Sequence, residues 1–112
     1  MVGVAVDERN FGAEVLSTDK YVLLEFWAAW CGPCKMMEPV LADLAAERGE
    51  SLKICRVNVD EQPRLANEFG VEGVPMMILV KDSRIVDKTV GYQPKAGIEA
   101  FLDRHLTTES AG

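Results

Sequence analysis

The stretch YVLLEFWAAWCGPCK, residues 21–35, decides the fold. Its first seven residues are nearly continuously apolar and rich in β-favouring types, the pattern of a strand covered on both faces. Ala28-Ala29-Trp30 then leads into Cys31-Gly32-Pro33-Cys34, and Cys34 is read as the start of a helix. Met37, Val40, Leu41, Leu44 and Ala45 follow at the three-and-four spacing of one helix face, Pro39 predicts a kink, and Gly49 is placed as the C-terminal cap. SLKICRVNVD (51–60) reads as the next strand, so the strand, helix, strand order requires a parallel crossover.

Outward from this unit the remaining elements fall into place. Val2, Val4 and Val6 alternate with other residues as a short first strand, and Phe11, Val15 and Leu16 carry a helical spacing. Downstream, Pro63 opens a short helix through Phe69, and Gly70 ends it. MMILV (76–80) and RIVDKTV (84–90) flank Asp82-Ser83 as an antiparallel hairpin, although the usual turn pair is Asn-Gly or Asp-Gly. Ile98, Phe101, Leu102 and His105 mark one face of a last helix, and TTESAG (107–112) is expected to be a frayed tail. The fold class is α/β, a mixed sheet of five strands with helices on both faces.

A chain of 112 residues is expected to form a single domain, 1–112, with an ordered core over about 4–106. Its 48% hydrophobic share suffices for a core that buries roughly two-thirds of the unfolded chain's surface. Twelve Lys and Arg against eighteen Asp and Glu give a net charge of −6, which repels nucleic-acid phosphates and anionic lipid headgroups. The longest apolar run is far shorter than the roughly 30 Å of a bilayer's hydrocarbon core demands. No basic start followed by an apolar stretch directs secretion, and three cysteines are too few and odd in number for a secreted disulfide framework, so a cytoplasmic setting is expected.

The chemistry concentrates at the two cysteines. A strand that delivers them to the first turn of a helix sets them among backbone N–H groups without helical partners, at the positive end of the macrodipole. Both effects favour a thiolate. Cys31, at the N-terminal extreme, is expected to be the more acidic and more exposed thiol and thus the nucleophile, with Cys34 resolving. Two intervening residues let the sulfurs reach disulfide distance, and Gly32-Pro33 restricts the loop while removing one N–H donor. The same spacing also serves zinc and iron–sulfur sites. A zinc site would have to add Cys55 and His105, which lack paired spacing; Cys55 reads better as a core residue, and His105 as a helix C-terminal cation or surface residue. No metal is expected.

Glu25 is a carboxylate inside an otherwise apolar strand, and burying it unpaired would cost several kcal/mol or raise its pKa until it held a proton. Two readings compete: a proton acceptor for Cys34, and an ion-pair partner of Arg56 on the next strand, which would tune it. Trp30, beside the reactive thiol, reads as a substrate platform rather than a core residue, whereas Trp27 is balanced between packing and site support. Lys35 either stabilises the thiolate or is a surface lysine at a helix start.

WCGPCK (30–35), preceded by EFWAA and followed by NVDEQP (58–63), GVP (73–75) and VG (90–91), resembles the thioredoxin family from end to end, over about residues 4–106. The resemblance implies the thioredoxin fold, a cis Val74-Pro75 peptide facing the cysteines, and an apolar groove for extended client peptides formed by Trp30, Gly32, Pro33, Val74, Pro75 and Gly91. It implies a protein disulfide reductase acting on disulfide-containing client proteins and restored by an NADPH-dependent thioredoxin reductase, with a monomer expected. Glu25 stands where the family most often has Asp, Arg56 where it usually has Lys, and Met76 where Thr is common. Met76 is weighed between filling the core and altering target preference. No GxGxxG follows a strand, so no nicotinamide or flavin is expected on this chain. The rivals are an oxidant or isomerase, against which Gly32-Pro33 argues, and a non-enzymatic binding module or chaperone subunit on the same fold.

Overall fold

The computed structural model describes the backbone of residues 2–111 and the side chains as far as Leu106. Five strands, β1 (Val4–Ala5), β2 (Tyr21–Trp27), β3 (Leu52–Asn58), β4 (Met76–Lys81) and β5 (Arg84–Val90), form one sheet in the order β1-β3-β2-β4-β5. The pairs β1·β3 and β2·β3 are parallel, and β2·β4 and β4·β5 are antiparallel. The helices are α1 (Gly32–Arg48), α2 (Pro63–Glu68) and α3 (Lys95–Ala111), with a short π-helix at Gly12–Leu16.

β2 is the central strand, and its first six residues are all buried. Because successive side chains point to opposite faces, it divides the core in two. Tyr21 and Leu23 join Leu41 and Leu44 of α1 and Ile98 and Leu102 of α3 on one face. Val22, Leu24 and Phe26 join Val15 of the π-helix and Leu65 of α2 on the other. Each fully buried Leu or Phe contributes roughly 1.5–3 kcal/mol, so the uninterrupted apolar run of β2 holds both layers to the sheet. Glu25 falls on the α1 side, directly opposite Arg56 of β3 and Met77 of β4.

Several local expectations are corrected. β1 is only two residues long, since Gly3, at φ +75°, packs against the Ile54 backbone instead of continuing the strand; Val6 N–H still bonds Arg56 O at 2.8 Å. The segment read as helical from Phe11 forms a π-helix over Gly12–Leu16 with Phe11 as its N-cap, closed by Ser17 N–H on Gly12 O at 2.9 Å, and leaves Leu16 exposed. α1 begins at Gly32, with Cys31 as its N-cap, and runs through Pro39 to a Gly49 cap whose backbone is right-handed. α3 extends to Ala111, taking in most of the segment expected as a tail, because the run from Ile98 to Ala111 holds neither proline nor glycine; Gly112 lies outside the described residues. The hairpin forms as expected, with Asp82 and Ser83 both at positive φ (52° and 64°).

Candidate functional site

The site lies where β2 hands over to α1. Val59 N–H bonds Trp27 O at 2.9 Å, ending the strand, and Cys31 N–H bonds Ala28 O at 3.2 Å, turning the chain into the helix. Cys31 is extended (φ −92°, ψ 110°), and its sulfur accepts the Cys34 N–H at 3.1 Å, taking the place that a serine or aspartate oxygen holds in an ordinary N-cap. Pro33, in the first turn, has no N–H to satisfy. Cys31 and Cys34 form a disulfide, with their Cα atoms 5.3 Å apart. The spacing therefore does what its reading implied, and a sulfur at the helix start receives an otherwise unpaired N–H.

Exposure departs from expectation. Cys31 is buried almost as deeply as Cys34, at 3% and 1% exposed. Both pack with Ala28, Trp27, Val59 and Val74, while their chain neighbours Trp30, Gly32 and Pro33 are exposed. Cys31 Sγ lies 3.7 Å from Val74 O, and the Val74-Pro75 peptide is cis, as the resemblance implied. Gly91, at φ +97° where only glycine is unstrained, donates its N–H to Pro75 O at 2.7 Å. The structure thus brings Cys31, Cys34, Val74, Pro75 and Gly91 to one end of the sheet. Trp30 is 70% exposed, and a pocket of about 160 Å³ opens between it, Val59, Val71 and Val74. Met76, in contrast, is buried among Phe26 and Leu65 on the α2 face, as a core residue.

Glu25 and Arg56 are buried together and joined by Arg56 Nε to Glu25 Oε1 at 2.7 Å. Burial raises the Glu25 pKa above the ordinary carboxylate range, and the guanidinium offsets this only in part. Among the described residues Glu25 Oε2 and both terminal nitrogens of Arg56 have no hydrogen-bond partner. The guanidinium stacks 4.6 Å from the Trp27 ring centroid, and Trp27 in turn packs against the cysteine cluster. A cavity of about 180 Å³ bordered by Val2, Val6, Asn58 and Glu61 reaches Arg56, large enough for water to meet those donors. Lys35 is exposed.

Three neighbours were missed from sequence. Asp60 Oδ2 accepts the Trp30 indole N–H at 2.9 Å, and Asn58 Oδ1 shapes that loop by accepting the N–H of Asp60 at 2.9 Å. The signal lay within NVDEQP, whose polar side chains carried no assigned role. Glu38, one helical turn beyond Cys34, lies 3.6 Å from Arg56 Nη2 and raises the Glu25 pKa further; the i, i+4 spacing from Cys34 was its signal.

The four nominal zinc ligands are not brought together. Cys55 faces the Glu14 carbonyl in the α2-side core, with its thiol pushed up to about 11 by burial, and His105 Nε2 lies 3.0 Å from Asp87 Oδ2 on β5.

Comparison with known proteins agrees with this geometry. The thioredoxin family profile matches residues 2–104. The chain is 43% identical over 99 residues to thioredoxin 2 of Chlorobaculum tepidum, covering 88% of this chain and 91% of that protein. It is 40% identical over 106 residues to the thioredoxin of Bacillus subtilis, covering 95% and 100%, and 44% identical over 106 residues to that of Staphylococcus haemolyticus, with the same coverage. With a helix-capping Cys31–Cys34 disulfide on a five-stranded mixed sheet and these relatives along nearly its whole length, the chain belongs to the thioredoxin family and is a thiol–disulfide reductase.

Proposed function

We propose that Cys31 is the nucleophile and Cys34 the resolving thiol in the reduction of client disulfides. The observation that carries this is the sulfur of Cys31 at the α1 N-cap, accepting the Cys34 N–H; in the reduced protein that donor and the helix dipole stabilise a thiolate on Cys31. The thiolate attacks one client sulfur, forming a mixed disulfide and releasing the other as a thiolate. Cys34 loses its proton and attacks Cys31 Sγ, the second client thiolate leaves, and the Cys31–Cys34 disulfide remains. Two electrons pass to the client. Glu25 is the proton acceptor for Cys34: it is buried on the strand that leads to the site, holds a free oxygen among the described residues, and has a pKa raised toward the working range. Arg56 holds it in place, and Trp27 backs the pair.

Trp30, Gly32, Pro33, Val74, Pro75 and Gly91 form the client surface, an arrangement suited to an extended peptide held partly by backbone hydrogen bonds. Lys35 adds positive charge near the thiolate. The protein works as a monomer in the cytoplasm and takes its electrons from an NADPH-dependent thioredoxin reductase; among the described residues no helix is long and apolar enough to cross a membrane. The roles of the two cysteines separate in a trapping experiment. Reduced Cys34→Ser protein is expected to accumulate a mixed disulfide with a disulfide-containing protein through Cys31, and Cys31→Ser protein to form none. Trapping through Cys34 instead would reverse the assignment.

A further inference from the structure

Met37 stands three residues beyond Cys34 on the buried face of α1, and it does more than fill space. The backbone N–H of Gln93 points at its thioether, with N to Sδ at 3.3 Å. Gln93 belongs to the segment between β5 and α3, whose near end is held by Gly91 N–H on Pro75 O at 2.7 Å. Its side chain is fixed as well: Nε2 donates to Thr89 Oγ1 at 3.0 Å, and Oε1 occupies space that a Cβ at residue 97 would approach to 2.8 Å. The segment therefore hangs between the proline strand and the dithiol helix by two N–H bonds, one of them to sulfur.

From this geometry we infer that Met37 is a positioning residue for client recognition, tying the groove wall around Gly91 and Tyr92 to the helix that carries the cysteines. The inference rests on the proposed groove. A leucine would fill the same volume but offers no acceptor, which would leave a half-buried N–H unpaired and let the wall move away from Cys31. Sulfur suits the place because a thioether accepts an N–H while remaining apolar toward Leu41 and Met77 in the same core.

The test compares wild type, Met37→Leu and Trp30→Ala in amide exchange, in reduction of a disulfide-containing protein, and in reduction of a small aromatic disulfide that does not fill the groove. Met37→Leu is expected to speed Gln93 amide exchange about tenfold while Gly91 keeps its protection, and to raise KM for the protein about threefold or more with kcat and small-disulfide reduction little changed. Trp30→Ala should also raise that KM. An unchanged Gln93 exchange rate would overturn the hydrogen bond, and an unchanged KM in Met37→Leu beside a raised one in Trp30→Ala would overturn the positioning role alone. If neither variant raises KM, the groove reading fails and the inference with it. Should Met37→Leu not fold, protein containing norleucine at all methionines removes the acceptor with little change of shape, and selenomethionine protein keeps one; only the former should lose Gln93 protection.

Discussion

Two buried acidic groups off the reacting pair, the Cys55 thiol and the Glu25 carboxyl, respond to burial in the same direction with opposite consequences. Cys55 has no exposed surface and a thiol pKa of about 11, so near pH 8 only about one thiolate in a thousand is present and none of it is reachable. Native oxidised protein is thus expected to take up no iodoacetamide and to take up one equivalent after unfolding in guanidinium; prompt labelling of the native form would contradict the packing. For Glu25 a folded pKa above the unfolded one means that its stabilising contribution is complete below the ordinary carboxylate value of about 4.3 and is lost as pH rises through the raised folded value. The stability of wild type relative to Glu25→Gln should therefore be flat in acid and decline across that window in denaturant titrations. The same variant should reduce protein disulfides about tenfold more slowly near neutral pH. A pH-independent stability difference would deny the raised pKa, and an unchanged rate would deny the proton-acceptor role.

At the scale of elements, the β4–β5 hairpin carries the clearest local conflict. Asp82 and Ser83 both adopt positive φ, which costs an ordinary residue about 1–2 kcal/mol and glycine almost nothing. Ser83→Gly gives up only the exposed hydrogen bond from Ser83 Oγ to Leu16 O, so a net gain of about 0.5 kcal/mol and a Tm higher by roughly 2–4 °C is expected from thermal unfolding. A lower Tm would show that the Leu16 contact outweighs the turn strain. The same hairpin shows what sequence discloses about elements. The apolar runs at 21–27 and 76–80 and the patterned run at 84–90 located β2, β4 and β5 closely, because long buried strands leave a strong signal. β1 and the π-helix were misjudged because their limits depend on Gly3 meeting Ile54 and on one i→i−5 hydrogen bond, which are tertiary and conformational facts with no periodicity of their own.

For the whole molecule, sequence located the dithiol and its strand-to-helix setting, since the cysteine spacing is local. It did not foresee that Cys31 would be buried, that Asp60 would hold Trp30, or that Glu38 would complete the group around Arg56, because each depends on segments far apart in sequence meeting at one end of the sheet. The fold's contribution to chemistry is to bring the N-terminus of α1, the Val74-Pro75 turn and the Gly91 segment together around a sulfur that already has a hydrogen-bond donor. On the proposed mechanism, a thiolate so stabilised makes the open dithiol form a poised nucleophile. The most direct test is the reduction potential of Cys31–Cys34, equilibrated against defined thiol–disulfide buffers and read by mass spectrometry after alkylation. The expected value is more negative than the roughly −220 to −260 mV of the glutathione pool, so that electrons flow from this dithiol to client disulfides. A value near about −180 to −120 mV, where isomerases and oxidants lie, would contradict the assignment as a reductase.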